Sequence, residues 1–458
     1  MRYYLKNPYI YIIYIYIYMS QDIITKVDQK ILAYYFPQYH SIPENDSVFG
    51  KDFNDWKLFI NNDNLLPRCK KPLEAPDSLG YYDPTLIDVR REQALLARKY
   101  GIDGFIYYHY WLENHVVMNK VLDKIIEDNE PDIPFCICFA NESWRHVYSI
   151  PSIKHEKKVF HKDGSTFRQL YDNPTDHALY LSKLFKHPNY IRINNKPVLF
   201  IYIMDIDGMA YMNKICNELK KHNIDDIYLV ACTSTHCTRI IDDKLKLERV
   251  PDAYSPFTAH WGNIDLPKIL SDLPCVYGEL IGWDTVPRHG KTYRLIDHKP
   301  NEIVKNICNK LLSMKNDDKS PQICAIFAWN EWGEGAVIEP NNIYGENIGY
   351  AIAKAREIVN MLQSDDKLIN TKFEYGANNN FKDITNMVHL KCIDQTDTNV
   401  INNDLSKKWV IYIPKHDYNR DKLFGDHLPY VHKVIKVSYN NIISTYDETQ
   451  EIILPIIN

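Results

Sequence analysis

A (β/α)8 TIM barrel with a small β-rich C-terminal appendage is the fold class this sequence predicts, and three observations point to it. Eight short runs are apolar at nearly every position, amphipathic stretches separate most of them, and polar and aromatic residues gather just after the runs. The runs are Ile31–Tyr35, Gly104–Tyr108, Phe135–Phe139, Pro197–Tyr202, Tyr228–Cys232, Ala253–Pro256, Cys275–Leu280 and Ile323–Ala328. Unbroken apolar runs mean that both faces of each strand are covered, as in a parallel sheet. Helical periodicity is read at Leu86–Tyr100, with Gly101 as its stop, and at Val117–Asp128, Asp176–Lys186, Met212–His222 and Asn301–Met314. An open doubly wound sheet has the same alternation. However, no G-x-G-x-x-G follows the first run and no P-loop occurs, so its nucleotide-binding versions lack support.

The barrel is expected over residues 19–365. The pattern changes near Leu362: Gln363–Lys367 is polar, Asn378–Asn380 reads as a loop, and four β-type runs follow. These are Met387–Leu390, Trp409–Ile413, Val431–Val437 and Ile452–Ile457, which predict a β-rich domain over 370–458 of unassigned role. Asp421 and His427 in that region read as solvated or capping residues rather than ligands. Residues 1–18 imitate a signal peptide or short anchor, but lack a small-residue cleavage site and are too short to span a bilayer. Their Tyr–Ile alternation reads more simply as translated non-coding repeat, with the start at Met19.

Composition narrows the function classes. The 458 residues carry a net charge of −5, which gives no reason to expect nucleic acid or an anionic membrane as partner, and no stable membrane insertion is expected. The 34 tyrosines suit a carbohydrate binder. The ten cysteines form no C-x-x-C pair and no ligand spacing with histidine, so no metal, no cofactor and a reducing, cytoplasmic location are expected. The matches to glycosylation sequons at Asn45 and Asn141 read as chance. Oligomeric state is not legible.

In a barrel of this kind the active site is built from the loops after the strands. Tyr39 and His40 follow the first run, His109, Tyr110 and Trp111 the second, and Asn141, Glu142 and Trp144 the third. Trp283 and Arg288 follow the seventh. Trp329–Asn330–Glu331–Trp332–Gly333–Glu334 follows the eighth. Clustered tryptophans predict a pocket with aromatic walls. Carboxylates at i and i+3 lie roughly 5–6 Å apart at Cβ, near the ~5–5.5 Å carboxyl separation of retaining glycosidases. Burial among tryptophans and mutual repulsion would raise the pKa of one partner, so Glu331 and Glu334 are the expected catalytic pair. Tyr39, His40, His109, Tyr110, Trp111, Asn141, Glu142, Trp144, Trp283, Arg288, Trp329, Asn330 and Trp332 are expected to bind substrate. Arg288 is read two ways, as a holder of an anionic group or as a partner of Asp284.

At these residues the sequence resembles the WbsX family. The motifs are Ala33–His40, Gly101–Phe105 with His109–Trp111, Pro134–Trp144, Asn195–Val198, Gly282–Asp284, and Trp329–Gly335 with Glu339–Pro340, over roughly residues 30–360. The resemblance implies glycosyltransferases of lipopolysaccharide and O-antigen synthesis, related to the barrels of glycoside hydrolase family 99. In the related endo-α-1,2-mannosidases the first glutamate of E-x-x-E acts as base on the sugar's own 2-hydroxyl and the second as general acid. Carried over, Glu331 is the base and Glu334 the acid. The hydrolases tend to have an aromatic and a histidine where this chain has Trp332–Gly333, which puts substrate specificity in doubt. The expected activity is making or breaking a glycosidic bond in an oligosaccharide or polysaccharide. A nucleotide-sugar-dependent transferase and a non-catalytic glycan-binding barrel are the alternatives. No D-x-D or Gly-rich diphosphate cradle is found at a strand end, and a lectin has no need of the glutamate pair.

Overall fold

This computed structural model describes residues 29–457, apart from 61, 63–64, 76–77, 146–160, 162, 235, 240–246, 258–265, 267, 291–294 and 396–407. The leader expected at residues 1–18 lies outside the described residues. Two compact units divide the described chain, one spanning Lys30–Lys354 and the other formed by residues after Lys354.

The first unit is the barrel. Its strands are β1 (Lys30–Tyr35), β2 (Gly104–Leu112), β3 (Phe135–Phe139), β4 (Lys196–Ile201), β5 (Tyr228–Thr233), β6 (Ala253–Pro256), β7 (Tyr277–Leu280) and β8 (Ile323–Phe327). They pair in the order β6-β5-β4-β3-β2-β1-β8-β7, all parallel. A bridge between Tyr254 and Cys275 nearly closes the ring, and there the Val276 amide donates to the Tyr254 carbonyl at 2.8 Å. A Cβ on Gly278 would stand 2.2 Å from the Pro256 carbonyl oxygen, so this seam requires glycine. Every residue of β2 and β3 is buried. Aromatic rings fill the interior: Tyr34 lies 5.4–6.0 Å from the rings of Tyr108, Phe200, Phe257 and Phe327.

Among the described residues, five helices of eight residues or more lie within this unit: α1 (Ile87–Lys99), α2 (Lys120–Asp128), α3 (Pro174–Phe185), α4 (Ile206–Leu219) and α5 (Pro300–Lys315); a further helix, α6 (Asn347–Ser364), runs across the boundary at Lys354. Helix α4 begins well before the expected Met212. The Asp205 side chain caps it by accepting from the Gly208 amide at 2.8 Å, and Gly208 itself weakens the helical signal. Helix α6 crosses the change of pattern near Leu362 and was not singled out by periodicity. No helix among the described residues is long and apolar enough to cross a membrane.

The second unit contains a four-stranded antiparallel sheet in the order Asn380–Asp383, Lys372–Ala377, Val434–Tyr439, Ile442–Tyr446. A three-stranded sheet of Ile393–Gln395, Trp409–Ile413 and Ile452–Ile457 accompanies it. One expected strand is corrected: Met387–Leu390 lies in the helix Thr385–Lys391, where the Val388 amide donates to the Ile384 carbonyl. A short apolar run without alternation does not distinguish the two states. Asp421 is also more embedded than expected. It accepts from the Tyr375 hydroxyl at 2.9 Å and pairs with buried Lys433 at 3.3 Å. Asp417, His432 and Glu448 come together here on a surface where the His432 side chain is 86% exposed.

Candidate active site

Strand β8 ends at Phe327, and the chain runs directly into a short hairpin in which Asn330–Glu331 pairs antiparallel with Ala336–Val337. One 3-10 turn, Trp332–Glu334, joins the two strands, and Gly335 closes it at φ +67°. Asn330 ties this hairpin to the end of β1. Its Oδ1 accepts from the Phe36 amide at 2.7 Å, and its Nδ2 donates to the Phe36 carbonyl at 3.1 Å and to the Tyr82 hydroxyl at 3.0 Å. The Tyr39 hydroxyl donates to the Asn330 carbonyl at 2.5 Å and accepts from the Trp332 amide at 3.2 Å. The turn is thus fixed by buried hydrogen bonds on its inner side.

Glu331 and Glu334 meet one cation. Arg288, on the short helix Val286–His289, donates Nη2 to Glu331 Oε1 at 2.8 Å and Nη1 to Glu334 Oε1 at 2.7 Å. Nη2 also lies 3.5 Å from Asp55, whose side chain is fully buried. Room for the guanidinium comes from Gly333, where a Cβ would stand 3.0 Å from Nη2. Three carboxylates around one guanidinium carry excess negative charge if all ionise, and retaining a proton relieves part of it. Burial pushes the Glu331 carboxyl well above the usual carboxylate range; Arg288 opposes this, and Glu334 and Asp55 add to it. Burial also raises Glu334, against Arg288. Glu331 keeps 4% of its side chain exposed and Glu334 17%, so desolvation weighs more on Glu331.

The pair opens into a cavity of about 780 Å³. Of the residues expected to bind substrate, Tyr110, Asn141, Glu142, Trp144, Trp283 and Arg288 line it. Glu142 lies 3.1 Å from His236 and 3.9 Å from Arg239, both also on the cavity wall. Asn141 is buried and donates to the Ile203 carbonyl, so its sequon is inaccessible. Asp284 forms its described ion pair with Arg68 at 2.8 Å, while Arg288 faces the glutamates.

The other expected residues are not among those described as lining the cavity, and their positions correct the sequence reading. Strand β2 runs on to Leu112, and alternation along it sends Tyr108 and Tyr110 to the cavity and His109 and Trp111 the other way. His109 Nε2 meets His177 Nε2 at 2.8 Å, and Trp111 stacks on His177 with centroids 4.4 Å apart. Burial lowers His109 to about 3, so it is neutral. His40 is buried beneath the first loop and lowered to about 4 for the same reason. Tyr39 and Asn330 hold the hairpin, as above. Trp329 packs against Phe105 and Tyr100, and Trp332 donates its indole N–H to Glu339 at 3.0 Å. Phe36, Asp55, Tyr108, Tyr202, His236 and Arg239 were not picked out. The first and third lie within or beside apolar runs, and Asp55 begins a short 3-10 turn, Asp55–Leu58, without any motif.

A family model described as Glycosyltransferase WbsX matches residues 31–271 and 266–352, which include both glutamates. The chain belongs to the WbsX glycosyltransferase family. WxcX from Xanthomonas campestris pv. campestris (strain B100), itself described as uncharacterized, is 27% identical over 348 residues, 70% of this chain and 48% of WxcX. The chain therefore spans about half the length of the curated relatives it matches. Among solved structures, the GH99 endo-alpha-mannosidase from Bacteroides thetaiotaomicron in complex with BIS-TRIS-propane covers 74% of this chain and 99% of its own, at 14% identity and TM-score 0.48. A chain described as a glycoside hydrolase-like protein is 13% identical, covering 72% of this chain and 94% of its own, with TM-score 0.47. WbsX membership together with the barrel supports a carbohydrate-active protein.

Proposed function

We propose that this chain makes or breaks a glycosidic bond in an oligosaccharide or polysaccharide, with Glu331 and Glu334 as its acid–base pair. One observation carries the reading: two carboxylates share one guanidinium in a cavity walled by Tyr110, Trp144 and Trp283. Aromatic faces suit sugar rings, and the carboxylate pair suits protonation of a leaving oxygen with activation of an attacking one. In this reading Glu334, the more open of the two, acts as acid and Glu331 as base, the roles that the resemblance implies. Burial raises both carboxyls, so the pair shares a proton. Service of Glu331 as base requires that proton on Glu334, and Arg288, bonded to both, stabilises the arrangement.

The family name favours a second reading, transfer of a sugar to an acceptor by the same pair. Both are tested by incubating wild type, Glu331→Gln and Glu334→Gln with α-mannosides and O-antigen-like oligosaccharides, with and without nucleotide sugars. Turnover by wild type that each variant loses supports the pair, and dependence on a nucleotide sugar selects transfer. Binding by all three with turnover by none would leave only a glycan-binding barrel.

A further inference from the structure

Behind the turn that carries the glutamates lies a third buried carboxylate. Glu339 is 1% exposed and is not among the residues described as lining the cavity. It accepts three hydrogen bonds: from Gln93 Nε2 at 2.7 Å, from the Tyr82 hydroxyl at 2.8 Å and from Trp332 Nε1 at 3.0 Å. The network runs on through buried side chains. Tyr35 donates to Gln93 Oε1 at 2.8 Å, and Asn330 Nδ2 donates to the Tyr82 hydroxyl at 3.0 Å. Trp332 and Asn330 are the residues flanking Glu331, so two of its neighbours are tied, directly or through Tyr82, to one carboxylate.

We propose that Glu339 is a positioning residue for the Glu331–Glu334 pair, holding the turn between them by its bond to the Trp332 indole. The inference rests on the reading of that pair as the reacting groups. An indole N–H can only donate, so it requires an acceptor that stays an acceptor. With the carboxylate ionised, all three partners are satisfied. A proton on Oε2, the oxygen that faces both the indole and the Tyr82 hydroxyl, would remove its charge and weaken the bond to Trp332. The titratable groups that face Glu339 are the phenols of Tyr35, Tyr82 and Tyr100, all raised by burial. No lysine or arginine forms an ion pair with it among the described residues. Burial pushes its carboxyl up to about 7, with the hydrogen bonds opposing. The bond to the Trp332 indole is therefore expected to weaken as pH falls through about 7.

The test uses the full chain. In one arm, the indole N–H of Trp332 is followed by NMR on 15N-tryptophan-labelled protein, its signal identified by its loss in Trp332→Phe. The expected result is a shift through neutral pH in wild type that Glu339→Gln abolishes; an indole signal that is the same in wild type and Glu339→Gln at every pH overturns the inference. In the other arm, kcat and KM are measured on whichever oligosaccharide wild type turns over. Displacement of a catalytic group by about 1 Å costs on the order of 100-fold, so Glu339→Gln is expected to lower kcat by about that factor with KM little changed. Tyr82→Phe removes one donor, a milder change should Glu339→Gln fold poorly, and is expected to lower kcat less. An unchanged kcat in both variants overturns the proposal. A wild type that turns over nothing counts against the reading of the pair alone, and the indole titration still decides whether Glu339 holds the turn.

Discussion

Arg288 gives one nitrogen to Glu331 and the other to Glu334, and its charge is what opposes the burial that raises both carboxyls. Its removal therefore has a defined sign. An opposite charge at this range lowers a carboxyl pKa by about 1–3 units, so in Arg288→Gln both limbs of the pH–rate profile move to higher pH by about one unit or more. Arg288→Lys, with a charge but no fork, falls between. The profile itself is the measurement, and limbs that stay in place or move to lower pH would show that Arg288 does not set these pKa values. The glutamates were legible because they stand three residues apart between tryptophans after the eighth run. Asp55 was not, because only folding brings that residue, far away in sequence, beside Nη2. His109 and Trp111 were misassigned where alternation, rather than mere nearness to a strand end, decides which side chains face the cavity.

The hairpin after β8 stands on Asn330, whose single side chain satisfies both the amide and the carbonyl of Phe36. In Asn330→Ala those two groups lose their partner in a site where Asn330 itself is fully buried. Each unsatisfied buried group costs about 1–3 kcal/mol. The expected loss is about 2–6 kcal/mol of barrel stability, read from urea unfolding. A change of only a few tenths would mean that water or a shifted backbone replaces the side chain. Elements were legible where their own residues decide them, as in the eight runs, all of which are strands. They were misread where a cap decides or a short run is ambiguous: α4 starts at Ile206 because the Asp205 side chain caps it, and Met387–Leu390, a short run without alternation, is helical.

The barrel as a whole was legible because burial on both faces leaves a mark in every strand, whereas its closing seam depends on the single close approach at Gly278. In Gly278→Ala the new methyl meets the Pro256 carbonyl oxygen at 2.2 Å, against backbone that cannot swing aside. Overpacking of this kind costs about 1–3 kcal/mol, and a melting temperature equal to wild type would show that the seam yields. The response of the barrel to acid follows from a different buried group. His40 is held neutral by burial, its folded pKa lowered to about 4, against about 6.5 in the unfolded chain. Between these values the unfolded state binds the proton and the folded state does not, so this contribution is present above about pH 6.5 and is lost as pH falls toward 4. From pH 7 to 5 it amounts to about 2 kcal/mol. Buried Glu339, whose folded pKa is raised, acts with the opposite sign: its contribution is full below about pH 4.5 and is lost as pH rises through about 7. Wild type alone therefore mixes these with other shifted groups, buried His109 among them, and the comparison with His40→Leu isolates the His40 contribution. Relative to that variant, wild type is expected to lose about 2 kcal/mol between pH 7 and 5 in urea unfolding. A difference that stays constant with pH would mean that His40 is protonated in the fold, and that the first loop opens to water around it.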